Sequence, residues 1–129
     1  MQPAAHITVI GAGFGALSTV REIRQRDPNA HITLVAPRAE LHYLPGIIWI
    51  PSGLRNREQL VVPLSNFFSR MKVNHIAAEV TGLRDGGRVV LTTAGELRND
   101  ALVIASGGRF IKKLPGIEHA ITPCEGIAA

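Results

Sequence analysis

The chain contains little cysteine, few aromatic residues and no long uninterrupted apolar run. One of its 129 residues is a cysteine, which excludes an internal disulfide and is typical of a reducing compartment, so we expect a cytoplasmic protein. The apolar stretch 43–54 is interrupted by Pro45, Gly46, Pro51 and Gly53, which excludes a helix that spans a bilayer. Residues 1–5 show neither the basic start nor the apolar run of a secretion signal.

The chain also lacks a concentration of charge or of metal ligands. Its 14 Lys and Arg and 10 Asp and Glu give a formal net charge of +4, but the basic residues are scattered. Because the densest basic group holds only Arg109, Lys112 and Lys113, we expect a solvated face and no nucleic-acid partner. The five histidines show no helical i, i+4 pairing and no cysteine at a metal-ligand spacing, so no metal site is predicted.

The sequence does contain two glycine turns, each of which directly follows a short apolar strand. In the first, residues 6–10 lead into Gly11-Ala12-Gly13-Phe14-Gly15-Ala16, and a helical pattern follows at once. Gly11 allows the tight turn, Gly13 lets a pyrophosphate approach the backbone, and Ala16 is the small residue needed where helix meets strand. The new helix directs free N–H groups and its positive dipole end at phosphates. This turn therefore predicts a dinucleotide site.

The second turn follows the apolar run 101–105 and reads Ser106-Gly107-Gly108. A continuous apolar run is typical of a parallel strand that is covered on both faces. Open parallel sheets bind their ligands at the carboxyl ends of the strands, so the second turn supports the same site.

The order of the remaining elements indicates one domain over residues 1–129, with an α/β fold. Its expected architecture is a Rossmann-like, mostly parallel sheet with a βαβ unit and a small antiparallel β-meander. The predicted elements are helices at 14–26 and 63–71, strands at 6–10, 31–36, 73–76 and 101–105, a hairpin of 79–84 with 88–93, and a short strand at 96–98. The stretch 37–62 has no clean period, so it is either a functional loop or a missed element.

These parts in this order resemble the amino-terminal, flavin-binding half of the pyridine nucleotide–disulfide oxidoreductases. The Ala105-Ser106-Gly107-Gly108 turn is similar to the Ala-Thr-Gly motif of that superfamily. Within it, segments 27–35, 42–45 and 77–82 are most similar to sulfide:quinone oxidoreductases, flavocytochrome c sulfide dehydrogenases and type II NADH dehydrogenases.

The resemblance implies FAD as the cofactor, and electron transfer from sulfide or NAD(P)H to a quinone or a cytochrome. It also implies that relatives continue for several hundred residues, so the chain is expected to be an incomplete fragment of a larger flavoprotein. We then expect the chain alone to be inactive, with an empty or loosely filled site, and a homo-oligomer is a further expectation. The full-length protein would lie in the cytoplasm or at the inner face of the membrane. The implied cofactor-binding residues are Gly11, Ala12, Gly13, Phe14, Gly15, Ala16, Ala36, Pro37, Arg38, Leu44, Pro45, Val80, Ala105, Ser106 and Gly107.

Two residues leave alternatives open. The second strand normally ends in Asp or Glu, which binds the ribose hydroxyls, but here Ala36 takes that place and Arg38 follows. An arginine there is also what a site for the 2′-phosphate of NADP would contain, so an NADP-binding domain or a non-catalytic dinucleotide-binding module remains an alternative. Glu40, four residues on, is a further candidate for the missing acid.

Cys124 is similar in position to a redox cysteine of sulfide:quinone oxidoreductases, but the chain offers no second cysteine as a resolving partner.

Overall fold

The computed structural model describes residues 3–108 and 111–120. Two α-helices and nine β-strands follow one another within the first of these ranges. They are β1 (His6–Ile10), α1 (Phe14–Arg26), β2 (His31–Val35), β3 (Glu40–His42), β4 (Val61–Pro63), α2 (Ser65–Met71), β5 (Val73–Ile76), β6 (Val80–Arg84), β7 (Val89–Thr92), β8 (Gly95–Arg98) and β9 (Ala101–Ile104).

The centre of the fold is a four-stranded parallel sheet in the order β5-β2-β1-β9. Strand β1 lies between β2 and β9, with Ile7 paired to Ile32 on one side and to Ala101 on the other. The carboxyl ends of β1 and β9 are therefore neighbours, although about ninety residues separate them in the sequence. This arrangement confirms the predicted Rossmann-like α/β fold.

The helix α1 packs on one face of this sheet through its small and β-branched residues. Ala16 and Val20 are buried in one cluster with Val9 and Leu34 of the central strands. Burial of such side chains contributes about 1.5–3 kcal/mol for each large one, so this layer stabilises the fold. The helix ends at Arg26 before Asp27-Pro28, as the sequence predicts, because proline disfavours helical geometry in the residue before it.

The second predicted helix begins later than the sequence pattern indicates. Pro63 is the last residue of β4, where it pairs with Glu40 of β3, and α2 begins only at Ser65. The Leu64 N–H donates to the carbonyl of Ala39, the residue before β3, at 2.9 Å, so the pairing of the ribbon continues to the residue just before the helix starts. A two-stranded ribbon tolerates a proline that a central strand would exclude.

The stretch 37–62 contains structure that the sequence pattern did not reveal. It forms β3, a 3-10 helix at Leu44–Trp49, a second at Glu58–Leu60 and most of β4. Leu60 is buried, and a Cβ atom at Gly46 would lie only 2.5 Å from its side chain, so the two 3-10 segments pack closely. The segment is therefore a folded excursion.

The strands β6, β7 and β8 form the expected antiparallel meander. Val89 and Val90 are fully buried, and on the exposed side both Arg84 guanidinium NH groups donate to the Glu96 carboxylate at 2.9 Å. This bidentate contact lowers the pKa of Glu96 below its usual value and raises the pKa of Arg84. Among the described residues, no helix has the length and apolar character needed to cross a membrane.

Candidate functional site

The two glycine turns contact each other at the carboxyl end of the sheet. Gly11 adopts φ +110°, its N–H donates to the Val35 carbonyl at 2.9 Å, and the Ala105 N–H donates to Ile10 at 2.9 Å. A Cβ atom on Gly11 would overlap the Ala105 carbonyl oxygen. Glycine is therefore required at Gly11 both for the left-handed turn and for the close approach of the two chain segments.

The first turn of α1 provides unpaired backbone donors. Gly13 is the N-cap residue and gives the helix no side-chain cap, and the first turn contains no acidic residue. The N–H groups that begin a helix have no partner within it, so here they are available to an anion. A Cβ atom on Gly13 would find no heavy atom within 4 Å among the described residues, because the position faces open space.

An open cleft of about 790 Å³ lies over these turns, at the carboxyl ends of β1 and β2. This is the size range of sites for small molecules and cofactors. Its floor is apolar, and its rim carries charged side chains from three different segments of the chain. The lining residues are Ile10, Gly11, Ala12, Gly13, Val35, Ala36, Pro37, Arg38, Glu40, Leu41, His42, Leu44, Ala78, Glu79, Val80 and Ser106.

The cleft brings together nine of the residues that the sequence analysis assigned to cofactor binding. They are Gly11, Ala12, Gly13, Ala36, Pro37, Arg38, Leu44, Val80 and Ser106. Six others do not line it: Phe14, Gly15, Ala16, Pro45, Ala105 and Gly107. Cys124, the candidate redox residue, lies outside the described residues.

The six residues outside the lining have identifiable places in the fold. Phe14 is exposed and stands edge-on to the Tyr43 ring, with 6.1 Å between the ring centroids. Ala16 is fully buried where α1 meets the sheet, which is the role the sequence pattern assigned to it. Ala105 supplies the carbonyl that excludes a side chain at Gly11. Gly15 and Gly107 are exposed, and Pro45 is an exposed residue of the first 3-10 helix.

Sequence reasoning missed part of the lining and left another part open. Ala78 and Glu79 follow β5, and Leu41 and His42 belong to the short strand β3. Glu40, the open candidate for the missing acid, is one of the lining residues. The available signal was weak, because a three-residue strand is too short to show an alternating pattern.

Two hydrogen bonds with β5 hold the backbone of Ala36, just after the end of β2. The Ala36 N–H donates to the Ile76 carbonyl at 3.2 Å, and His75 Nε2 donates to the Ala36 carbonyl at 2.9 Å. The His75 ring stacks on Phe68 of α2, which fixes its orientation. Ala36 is itself buried, so the position that usually carries the ribose-binding acid is part of the cleft floor.

Charged groups around the cleft are of both signs. Arg38 and Glu79 are exposed, whereas Glu40 and His42 are partly buried and in mutual contact, with His42 Nε2 3.2 Å from Glu40 Oε2. Across residues 3–108 and 111–120, no three His, Cys, Asp or Glu side chains converge as metal ligands. The arrangement suits a ligand with an anionic centre at the start of α1 and hydroxyl groups near β3.

The sequence and the fold both match known redox enzymes. The family model described as pyridine nucleotide-disulphide oxidoreductase matches residues 5–127. The chain is 28% identical over 120 residues to a sulfide-quinone reductase of Aquifex aeolicus, covering 92% of this chain and 28% of that protein. It is 32% identical over 122 residues to a type II NADH:quinone oxidoreductase of Staphylococcus aureus, covering 91% of this chain and 29% of the relative.

Solved structures give the same result. The sulfide:quinone oxidoreductase of Aquifex aeolicus superposes with a TM-score of 0.83 at 28% identity, covering 94% of this chain and 29% of that one. The NDH2 of Plasmodium falciparum superposes with a TM-score of 0.74 at 20% identity, covering 90% of this chain and 25% of that one, which shows the shared fold. The chain thus spans between a quarter and a third of the length of the proteins it matches.

Proposed function

The chain belongs to the pyridine nucleotide-disulphide oxidoreductase family, and we propose that it is the FAD-binding domain of a flavin-dependent oxidoreductase. The observation that carries this proposal is the contact between the two glycine turns. Gly11 and Ala105 meet closely, and the uncapped start of α1 opens onto the cleft that Gly11, Gly13 and Ser106 line. A negatively charged diphosphate fits such a helix start, because the N–H groups and the dipole both favour an anion.

The residues around the cleft support a site for FAD. Gly13 has open space where any other residue would carry a side chain, so the pyrophosphate can approach the backbone there. The adenosine end would be held by residues 36–42 and Val80, and Leu44 would lie toward the flavin ring. The cleft volume of about 790 Å³ is within the range of cofactor sites.

Bound FAD would supply the redox chemistry, since flavins accept and donate electrons. The residues of this chain bind and orient the cofactor. The start of α1 would offset the charge of the phosphates, and the apolar floor at Val35 and Ala36 would keep water from the adenosine end. Glycine at Gly11 keeps the two strand ends at a fixed separation.

For the whole protein we propose electron transfer from sulfide or NADH to a quinone. The two relatives at 28% and 32% identity are named for these reactions. The 129 residues correspond to 28% and 29% of those relatives, so we propose that the sites for donor and acceptor lie mainly in parts of the enzyme other than this domain. That Cys124 takes part in sulfur chemistry stays a prediction.

Replacing Gly13 by valine tests the proposal. The new side chain would enter the open space at the helix start, so binding of FAD should fall by at least about thirtyfold, as expected when a bulky group displaces the pyrophosphate. The fold should persist, because no described atom lies within 4 Å of the new Cβ. The measurement is a calorimetric or fluorescence titration of the 129-residue chain with FAD.

Gly82→Val is a matched control for this variant. Gly82 lies on β6 outside the cleft lining, and its added Cβ would be in ordinary contact with Leu91 at 3.5 Å. It should bind FAD as the unmodified chain does. Unchanged FAD affinity in Gly13→Val would mean that the cofactor site lies elsewhere.

A further inference from the structure

The cleft contains a carboxylate in an unexpected place. The end of β2, where a ribose-binding acid normally stands, carries Ala36 in the cleft floor. Two acidic residues nevertheless line the same cleft, Glu40 from β3 and Glu79 from the segment after β5. Glu79 is exposed, whereas the side chain of Glu40 is about two thirds buried.

Strand alternation explains how Glu40 comes to this position. Successive side chains of a strand point to opposite sides, so Glu40 and His42 share one side of β3. Leu41 takes the other side and still borders the cleft. Leu41 packs against the hydrophobic cluster of the sheet. Pairing with β4 fixes the strand, and the Tyr43 N–H donates to the Leu60 carbonyl at 2.8 Å directly after it. The carboxylate is therefore carried by a folded element.

A neighbouring histidine restrains this carboxylate. His42 Nε2 lies 3.2 Å from Glu40 Oε2. A carboxylate has two oxygens with about four lone-pair sites, so Glu40 can accept a hydrogen bond from His42 and still accept another from a ligand.

We propose that Glu40 accepts a hydrogen bond from the adenosine ribose, in place of the acid missing at Ala36, and makes the cleft select a free 2′-hydroxyl over a 2′-phosphate. This inference rests on the proposed dinucleotide function. A ribose hydroxyl donates to a carboxylate, whereas a 2′-phosphate would bring further negative charge against it. Arg38 alone would favour the phosphate, but two carboxylates of the cleft, Glu40 and Glu79, oppose it.

The test uses the 129-residue chain, labelled with ¹⁵N, and three nucleotides as probes. The probes are ADP, 2′-deoxy-ADP and 2′-phospho-ADP, and the amide resonances of Gly11 and Gly13 report on the site while the whole spectrum reports on the fold. We expect ADP to bind about tenfold more tightly than 2′-deoxy-ADP, as one hydrogen bond to a charged acceptor gives. We expect 2′-phospho-ADP to bind at least about fivefold more weakly than ADP, because of the charge repulsion.

Variants test whether Glu40 causes the preference for ADP over the two other nucleotides. In Glu40→Ala, ADP and 2′-deoxy-ADP should bind equally. In Glu40→Gln, which keeps the size of the side chain, the discrimination against 2′-phospho-ADP should fall, because only the charge of Glu79 then opposes the phosphate. Glu79→Gln removes the other carboxylate and should retain the preference for the hydroxyl. His42→Phe, which removes the donor beside Glu40, should reduce that preference, and His42→Gln, which keeps a donor, should restore part of it.

Two kinds of failure can be told apart. If the unmodified chain bound the three nucleotides equally, or if Glu40→Ala weakened all three by the same factor, the role given to Glu40 would be wrong while the dinucleotide site remained. If neither ADP nor FAD shifted the resonances of Gly11 and Gly13 at millimolar nucleotide, where even a loosely held ligand would be detected, the proposed function itself would be contradicted.

Discussion

The two ends of the parallel sheet differ in how their polar groups are satisfied. At the amino end, the Arg24 guanidinium joins α1, the start of β2 and the end of α2. It donates hydrogen bonds at 2.8–3.3 Å to the carbonyls of Asp27, Pro28, Ala30, Met71 and Lys72. Close to it, the His6 N–H donates to the Asp100 carboxylate at 2.8 Å. A cleft of about 490 Å³ borders Arg24 at this end, but the guanidinium is already engaged by the chain's own carbonyls.

At the carboxyl end, backbone donors and charged side chains face the cleft. The start of α1 has no side-chain cap, and Arg38 and Glu79 stand exposed at the rim. A hydrogen bond made within the chain stabilises the fold, whereas a donor left without an internal partner is available to a ligand. The same sheet thus largely separates stability and binding. Apart from Gly11, where two chain segments pack against each other, substitutions at each end should affect one property much more than the other.

The largest effect is expected at the point where both turns meet. Gly11→Ala places a Cβ against the Ala105 carbonyl oxygen and forces a residue with φ +110° into an unfavourable conformation. Strain and overpacking together should lower the free energy of unfolding by about 3–5 kcal/mol. Denaturation by urea, followed by circular dichroism, measures this loss.

Gly13→Ala is the control within the same turn. Its Cβ would face open space, so the free energy of unfolding should change by less than about 1 kcal/mol, the scale of N-cap substitutions. Equal destabilisation by Gly11→Ala and Gly13→Ala would contradict the assignment of a structural role to Gly11 and a binding role to Gly13.

The next largest effect is expected at the amino end. Arg24→Ala removes the donor of five backbone hydrogen bonds, and we expect a loss of about 2–4 kcal/mol in the free energy of unfolding. The affinity for FAD, extrapolated to the folded fraction, should stay unchanged. Arg26→Ala is the matched control, because Arg26 is exposed and its pair with Glu22 should contribute less than about 0.5 kcal/mol. A fall in FAD affinity in Arg24→Ala without loss of stability would contradict the division between the two ends.

Local patterns in the sequence predict the frame of the fold but not the connections around it. The strand 6–10 and the helix 14–26 match the structure because apolar spacing and Asp27-Pro28 mark them directly. The start of α2 was placed at Pro63, two residues early, since proline at a helix start and proline in a ribbon strand look alike in sequence. The role of Arg24 could not be predicted, because two of its five acceptors, Met71 and Lys72, are distant in the chain.

The candidate site follows the same division. Gly11, Gly13 and Ser106 were predicted because each lies directly after a strand, and parallel strands bring their carboxyl ends together. His42 and Glu79 were missed because they reach the cleft through pairing of β3 with β4 and through the turn after β5. Such placement depends on tertiary packing, which leaves no period in a short segment.

The smallest effect is expected at Arg38, and it tests which nucleotide binds at the carboxyl end of the sheet. Arg38 is exposed at the rim of the cleft, where solvent screens its charge, so Arg38→Ala should change FAD affinity by less than about 0.5 kcal/mol. If Arg38 instead paired with a 2′-phosphate, the variant would lose about 1.5–3 kcal/mol of NADPH binding, the usual contribution of a hydrogen bond to a charged group. Parallel titrations of the unmodified chain and of Arg38→Ala with FAD, NADH and NADPH separate the two cases.

We expect FAD to bind most tightly to both proteins. NADPH should bind no more tightly than NADH, because Glu40 and Glu79 oppose the added phosphate in the same cleft. A strong preference for NADPH over NADH that disappears in Arg38→Ala would show that the guanidinium, and not the carboxylates, determines which nucleotide this end of the sheet accepts.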